Sequence, residues 1–541
     1  MTDERQDTFD TAGWTRRNFL VRGGQFAALA AVAPAVLAAC TGGSAGTAQS
    51  SASTATGGGK PVKGGTFTVG MVGTGASETV NPATAFTIVD FARTYALFDR
   101  LFDVGPDIRT LRPQLATSAE PNADATVWTF HLRSGVTWHD GKPFTADDVV
   151  YSLRALSSPN NFGSGLVGNL IDFKSIRKRD NLTVEVPLLS PNSQLDALLT
   201  GVNAAIIQNG AKAADLNQRP VGTGPFAFQS FTAGKQSVFT ANPKYWEQGK
   251  PYVDKLIIDS SFSDVVAQVN ALLSGQINVL PQLPYAQVAS AKSQGGISVI
   301  RAAGVAAQYI KMRTDKGPLV DQRVRQALQL VTDRQGLIDG VLNGYGSIAY
   351  DLLAPDTQYF ASDLKRDRDV AQAKSLLKSA GKEGLSIKIT TSNAFAGSVE
   401  SATLYAYQAK AAGINVVVDN LTTAAIATAY LPAPFANAYT TAQPSLDAIY
   451  RGLMATDAVY PETGWGTKAH DAAVLAAVGA TDSAKATSLW HGVQETWFNG
   501  GPYIVWGYAD NIDAVSSKVR GLQVTAAGNL DNFRFQDGWL V

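Results

Sequence analysis

The chain carries few side chains suited to covalent chemistry. Its 541 residues contain one cysteine, Cys40, and four histidines, His131, His139, His470 and His491. The histidines are dispersed, and none has the His-x-x-x-His spacing that sets two imidazoles on one helical face for a metal. Gly42-Gly43-Ser44-Ala45-Gly46 matches the Gly-x-Ser-x-Gly pattern of an activated serine. That nucleophile needs a sharp strand-to-helix turn, and here the pattern lies in a Gly/Ser/Thr/Ala tract with no strand before it. Ser375 and Lys378 have Ser-x-x-Lys spacing, but they lie in a stretch patterned as a helix with solvated lysines. Asp147-Asp148 looks most like an acid–base pair. It follows Thr145 at capping-box spacing, however, and suits the positive end of a helix dipole better than proton transfer. No phosphate-binding loop is present. The residues specify no reaction, so the expectation is a protein without catalytic residues, metal or cofactor.

The position of Cys40 accounts for it. Residues 15–40 read TRRNFLVRGGQFAALAAVAPAVLAAC, with Arg16 and Arg17 ahead of an apolar run broken by Pro34. That run is roughly 14 residues, short of the ~20 that span a bilayer. A charged leader, an apolar core and small residues before a cut point form a secretory signal. The stretch TRRNFL resembles a twin-arginine export motif. Leu37-Ala38-Ala39-Cys40 resembles a bacterial lipobox, which implies acylation of the Cys40 sulfur and cleavage just before it. Behind it, a Gly/Ser/Thr tract cannot bury a core and reads as a flexible tether. With Cys40 in the anchor, the remaining body has no thiol for a disulfide, zinc–thiolate site or iron–sulfur cluster.

The elements that would position a site come from the body. Lys plus Arg number 45 and Asp plus Glu 45, for a net charge of zero, and no basic stripe points to nucleic acid. A body of about 480 residues exceeds what one core normally serves. Val62–Met71 reads as a first strand. In Val127–Leu132, Trp128, Phe130 and Leu132 point one way and Thr129 and His131 the other. The following RSGVTWHDGKPF carries a tight-turn signal, Asp140-Gly141, and leads to a helix capped at Thr145. Val221–Phe231 and Leu256–Asp259 read as strands. Residues 263–280 read as a helix stopped at Gly275 and then a short strand. Val324, Leu328, Val331, Leu337 or Ile338, and Val341 keep helical spacing up to Gly344. LSIKITT, a helix around Ser401–Ala411 and GINVVVDNL form a βαβ-like unit. The fold class is mixed α/β in more than one lobe.

VWTFHLRSGVTWHDGKPFTADDVVYSLRAL, Val127–Leu156, resembles the signature of the family 5 extracellular solute-binding proteins, the peptide-binding components of bacterial ABC importers. Gly64–Thr66 with Asn81-Pro82, VGTGPF, NPKYW, DQRVRQALQLVTDRQGLIDGVLNGYG and ETGWGTKAHDAAVLAAV agree in order. The resemblance implies a periplasmic-binding-protein-like fold with a cleft between two α/β lobes. The leader and lipobox set a signal at 1–39 and a lipidated tether at 40–60, and the resemblance implies the remaining divisions. Lobe I would take 61–102, 219–305 and 503–541, an inserted subdomain 103–218, and lobe II 306–502. It implies a monomer anchored on the extracytoplasmic face of the cell membrane, with an ABC permease, its ATPase subunits and a small solute as partners. A secreted hydrolase is the competing reading from another class.

Family peptide binders hold the ligand amine with an aspartate in a second-lobe loop. Here that stretch reads FANAYTTAQPSLDAIY, and no Asp follows Thr440-Thr441-Ala442; Asp447 is the nearest carboxylate. Between Lys410 and Arg451 there is no basic residue, and only Asp419 and Asp447 are acidic. This thin charge leaves an ordinary peptide, a modified peptide, an oligosaccharide and a siderophore-like compound all open. By position in the resemblance, the ligand-binding candidates are Phe86, Thr87, Phe162, Thr441, Gln443, Asp447, Trp506 and Tyr508. Trp128, Trp138, Tyr245 and Trp246 belong to the motif blocks and are expected to be structural.

Overall fold

Two long antiparallel strands, Ile297–Met312 and Tyr503–Ser516, run through the middle of an 11-stranded sheet. The structure is a computed structural model that describes residues 53–54, 59–262, 264–393 and 397–541. Arg16, Arg17, Cys40 and the Gly42–Gly46 pattern lie outside the described residues. On one side of the long pair the sheet continues through Val279–Leu280, Thr66–Val72, Lys255–Phe262, Gln236–Ala241 and Phe226–Thr232. On the other it continues through Phe435–Thr440, Ser386–Thr391 and Asn415–Asn420, while Gly346–Ile348 also pairs with Tyr503–Ser516. The two sides grip different ends of the pair. Val279 and Leu280 meet Val515 and Ala514, whereas Phe435–Thr440 meets residues 307–312. Each half of the sheet therefore ends on the same two strands.

The pairing between these strands breaks between Ala302 and Ala306. Gly304 lies in the break, where a Cβ would stand 1.9 Å from the Ala509 carbonyl oxygen. Only glycine lets the two backbones pass this closely. Asp510 bridges the gap: Arg301 Nε donates to it at 2.5 Å and the Gly304 N–H at 3.4 Å.

Separate apolar cores form on the two sides of the break. One gathers Phe67, Val69, Phe98, Phe226, Phe239, Ile258, Val515 and Phe535. Others gather Ile310, Leu328, Tyr405 and Phe435, and Tyr309, Trp490, Trp497 and Tyr503. Between Phe98 and Ala205 the chain leaves the first core and builds another around Trp128, Phe130, Trp138 and Leu153. That core backs onto a four-stranded sheet ordered Ala116–Pro121, Val127–Leu132, Thr183–Pro187, Arg177–Asp180. Trp128, Phe130 and Leu132 are all buried, as their alternation predicts. Among the described residues, no helix is long and apolar enough to cross a membrane.

The motif blocks turn out to be joints. In VGTGPF, the Thr223 hydroxyl donates to Asp99 at 2.9 Å, and the Gly222 N–H donates to His139 Nδ1 at 3.1 Å. In NPKYW, the Tyr245 hydroxyl and Trp246 Nε1 donate to the same Asp99 at 3.2 and 3.1 Å. A Cβ on Gly222 would stand 1.8 Å from the Leu97 carbonyl oxygen, so this block needs glycine to lie against the preceding helix. Asp148 receives the Thr145 N–H at 2.8 Å, as the capping spacing predicts, and the Asn209 N–H at 2.8 Å; Asp147 pairs with Lys178 at the surface. The spacing over 324–341 predicts one helix, but the chain forms two, Gln322–Leu330 and Arg334–Leu342. Asp333 breaks the run by turning extended and capping the second helix through the Gly336 N–H at 3.0 Å.

Helix Ile88–Leu97 is fastened to the sheet by Arg93, which is fully buried. Its guanidinium donates to Glu78 at 2.6 Å, Asp90 at 3.1 Å, Ser237 at 2.7 Å and Ser260 at 3.0 Å. Removing one partner of a buried pair leaves an uncompensated charge, which costs about 3–5 kcal/mol. Arg93→Leu strands two carboxylates, Glu78 and Asp90, and is expected to lose stability on that order, read from the midpoint of urea unfolding.

Candidate functional site

A cavity of about 910 Å³ opens where the two halves of the sheet face each other. Three walls meet there. The first comes from Met71, Val72 and Thr74 beyond the strand Thr66–Val72, and from Ala85–Val89 at the start of helix Ile88–Leu97. The second comes from the stretch 156–204, through residues such as Leu156, Phe162, Leu166, Leu198, Asn203 and Ala204. The third is the far half of the sheet, with Tyr309, Tyr430, Ala438–Thr441, Gln443, Gly452, Tyr460 and Glu462.

Five expected residues reach this cavity: Phe86, Thr87, Phe162, Thr441 and Gln443. Phe86 and Phe162 meet edge to face at 5.7 Å, joining the first wall to the second. Their backbones are held by the Asn81-Pro82 element. Asn81 Oδ1 accepts from the Ala83 N–H at 3.0 Å, and the Phe162 N–H donates to the Ala83 carbonyl at 3.0 Å. Asn203 adds a clamp, its Nδ2 donating to the Pro82 and Ala85 carbonyls at 2.8 and 2.9 Å. Thr87 caps its helix, its hydroxyl donating to Asp90 at 2.7 Å. Gln443 folds back on the turn, with Nε2 donating to Thr440 Oγ1 at 3.3 Å.

Three expected residues do not line the cavity. Asp447 is fully buried, and its carboxylate takes Arg451 Nε at 2.9 Å and Asn192 Nδ2 at 2.7 Å. It ties its own helix to Asn192, 255 residues away, so its oxygens are already committed. Trp506 is buried among Leu337, Ile338 and Leu342. Tyr508 is buried as well, with its hydroxyl donating to the Leu352 carbonyl at 2.9 Å. Both sit on the strand Tyr503–Ser516, which is covered on both faces, so alternation along it sends neither face to the cleft.

The motif reading missed the strongest polar feature of the cavity. Glu462 is buried and receives three phenols: Tyr309 at 3.1 Å, Tyr503 at 3.0 Å and Tyr430. Burial raises the carboxyl above the usual range, against the lowering effects of the tyrosine hydrogen bonds and of Lys311. Burial, reinforced by the Glu462 charge, holds all three phenols well above their ordinary value, so they stay protonated donors. Lys311 lies behind this cluster, with burial lowering its pKa to about 8. Its ammonium donates to the carbonyls of Leu431 at 3.2 Å, Ala433 at 2.8 Å and Glu462 at 3.0 Å. Lys311 thereby fixes the two loops that carry Tyr430 and Glu462. A block such as ETGWG gives no local hint of this role, because its partners lie 32 and more residues away.

Among the described residues, Glu462 is the only one in the lining with a formal charge. Three charges near the lining are turned into other contacts: Arg451 onto Asp447, Asp90 onto Thr87 and Arg93, and Lys311 onto carbonyls. The neutral polar groups are the side chains of Thr74, Thr87, Asn203, Gln268, Gln282, Thr440, Thr441 and Gln443 and the phenols. Among the described residues, no group of three or more His, Cys, Asp and Glu could hold a metal.

Gln282 reaches the cavity from a left-handed backbone position (φ 59°), where its N–H donates to Asp513 at 2.8 Å. Asp513 also accepts from the Leu530 N–H at 2.8 Å and from Asn529 Nδ2 at 2.6 Å. Burial pushes its carboxyl up from 3.8 to about 6. The folded state thus holds this proton more tightly than the unfolded chain, and the group loses stabilising effect as pH rises through that window. The stability of the protein minus that of Asp513→Asn is expected to fall as pH rises from about 3.8 to about 6 and to level off above it. Chemical unfolding of both proteins across that range checks the sign.

The comparisons agree with this geometry. Residues 110–459 match the family described as bacterial extracellular solute-binding proteins, family 5. A dipeptide-binding protein of Escherichia coli is 29% identical over 343 residues, 58% of this chain and 64% of that protein. Heme-binding protein A of Haemophilus influenzae is 29% identical over 315 residues, 54% of this chain and 57% of that protein. The chain thus spans roughly three fifths of the length of these curated relatives. In fold it is similar to an ABC transporter substrate-binding protein of Listeria monocytogenes, with TM-score 0.78, 23% identity, and coverage of 88% of this chain and 99% of that one. It is similar also to the periplasmic binding protein DppA of Helicobacter pylori in complex with the peptide STSA, with TM-score 0.74, 23% identity, and coverage of 88% and 98%. These neighbours are two-lobed binding proteins of mixed α/β class, the architecture seen here. The chain belongs to the family 5 bacterial extracellular solute-binding proteins.

Proposed function

We propose that this protein is the solute-capturing receptor of an ABC importer, which takes a peptide or peptide-like solute into the cavity and delivers it to a membrane permease and its ATPase subunits. One observation carries this reading. A cavity of about 910 Å³ is walled by both halves of a sheet that meet only through two shared strands. A ligand that touches both walls favours the closed arrangement over the open one by its differential contacts. The volume lies within the ~300–1,000 Å³ typical of small-molecule sites. The names of the relatives support a peptide-like solute, since two of them bind dipeptides or a tetrapeptide by title.

In this reading the lobes are 61–102 with 219–305 and 503–541, and 306–502, with 103–218 inserted. Closure bends the long strands at the break around Gly304 and Asp510. Cys40 carries the lipid that keeps the receptor at the extracytoplasmic face of the membrane, and the tract behind it gives reach. One acyl chain holds weakly and two hold durably, because each buried CH₂ adds about 0.8 kcal/mol.

Two outcomes are expected. A bound solute at 100 times its Kd stabilises the folded state by about 2.7 kcal/mol, which appears as a rise in Tm. Gly452 lines the cavity, and a Cβ there meets nothing within 4 Å, so Gly452→Phe can enter the empty space. That variant should fold with a near-unchanged Tm and lose the ligand-induced rise. If peptides, sugars and chelates leave the Tm of the parent protein unmoved, the receptor reading fails. Cys40→Ser is expected to release the protein from membranes while leaving solute affinity unchanged; retention on washed membranes would remove the lipid anchor from the proposal.

A further inference from the structure

The charge pattern of the cavity narrows the solute. We infer that the ligand is an uncharged, apolar peptide whose ends are blocked, by capping or cyclisation, and that a zwitterionic peptide of the same sequence is rejected. This deepens the receptor reading and rests on it.

The first premise is the absence of any cation among the described lining residues. A free ligand carboxylate therefore has no guanidinium or ammonium to meet. Arg451, the nearest basic residue after the second-lobe loop, is held by Asp447 at 2.9 Å. All three hydrogen-bonding directions of Lys311 end on main-chain carbonyls.

The second premise concerns the one anion. Glu462 Oε1 accepts from both Tyr309 and Tyr503, and Oε2 accepts from Tyr430. The ring of Tyr430 also lies 4.9 Å from the Lys311 ammonium. A ligand amine would have to displace these donors from a carboxylate that is buried with Tyr309 and Tyr503 behind the half-buried Tyr430. The carboxylate is thus a structural anion that orders three tyrosines, and the wall presented to the ligand is neutral. On the turn after Phe435–Thr440, the side chains facing the cavity are Thr440, Thr441 and Gln443.

The third premise is what the walls do offer. Apolar side chains such as Val72, Phe86, Ile88, Phe162, Leu166 and Leu453 supply most of the surface. Between them stand amides and hydroxyls, which pair with neutral peptide groups. Such a wall matches aliphatic and aromatic ligand side chains joined by amide bonds. An oligosaccharide would leave most of its hydroxyls facing hydrocarbon, where an unpaired polar group is costly. A zwitterion would bring two charges into a cleft that pairs neither, and buried unpaired charge is more costly still.

The test is a matched pair of ligands: Leu-Phe-Leu with N-acetyl and C-amide caps, and the same tripeptide with free ends, each titrated calorimetrically. The capped form is expected to bind at least about tenfold more tightly. A smaller gap, or tighter binding of the free form, overturns the inference. Thr441→Asp places a carboxylate on the neutral turn and should narrow the gap by about tenfold through a charge-assisted bond to the free amine. An unchanged gap in that variant puts the discrimination elsewhere and also overturns it. If both peptides fail while a sugar or chelate raises Tm, the blocked-peptide inference falls and the receptor reading stands. If no solute of any class raises Tm, both fall.

Discussion

Two strands are shared by both halves of the large sheet. Ile297–Met312 and Tyr503–Ser516 supply the inner edge of each half of the large sheet, and each half carries its own apolar core. A strand that belongs to two cores cannot shift register without moving an entire face out of one of them. The pairing breaks between Ala302 and Ala306 and shifts again between Gln308 and Tyr309, in the span between the two large cores. Gly304 and Asp510 make that break compatible with close backbone approach. The cavity takes its lining from both halves and, on the shared strands, from Tyr309.

Buried charge does the fastening around this ribbon. Arg93 joins a helix to two strands, Asp99 collects the residues of two motif blocks, and Glu462 collects three tyrosines from three distant elements. Each of these charges is surrounded by donors or counter-charges rather than left for a ligand. Ion pairs and polar hubs of this kind are weak sources of net stability, since desolvation offsets most of the gain. They are strict about geometry, because any other arrangement leaves a buried charge unpaired. This strictness explains why long motif blocks, Val127–Leu156 among them, can contain many polar residues and yet supply so few groups to the cavity.

Much of the fold was legible along the chain. The alternation at Trp128, Phe130 and Leu132, the cap at Thr145 and the βαβ unit over Ser386–Asn420 all depend on neighbours within a few residues. The helix pair over 322–342 was half legible: its apolar spacing crosses Asp333 without interruption, while the backbone does not. The cavity lining was legible only where loop position decides it, as for Phe86, Phe162, Thr441 and Gln443. Asp447 failed as a cleft residue because its partner Asn192 lies 255 residues away, and the aromatics Trp506 and Tyr508 failed because both faces of their strand are covered.

The sequence by itself determined the class of the molecule. An apolar run ending at the only cysteine, a thiol-free stretch after it, balanced charge and a series of ordered blocks are local properties of the chain, and local spacing is enough to read them. Only the tertiary structure decided which charges are spent. Whether Asp447, Glu462, Lys311 or Arg451 faces a ligand depends on pairings between residues far apart in the chain, and on how completely burial obliges each of them to find a partner. Those pairings leave no cation among the described lining residues and tie the anion Glu462 to three tyrosines, a property of the folded contacts that no single stretch of residues displays.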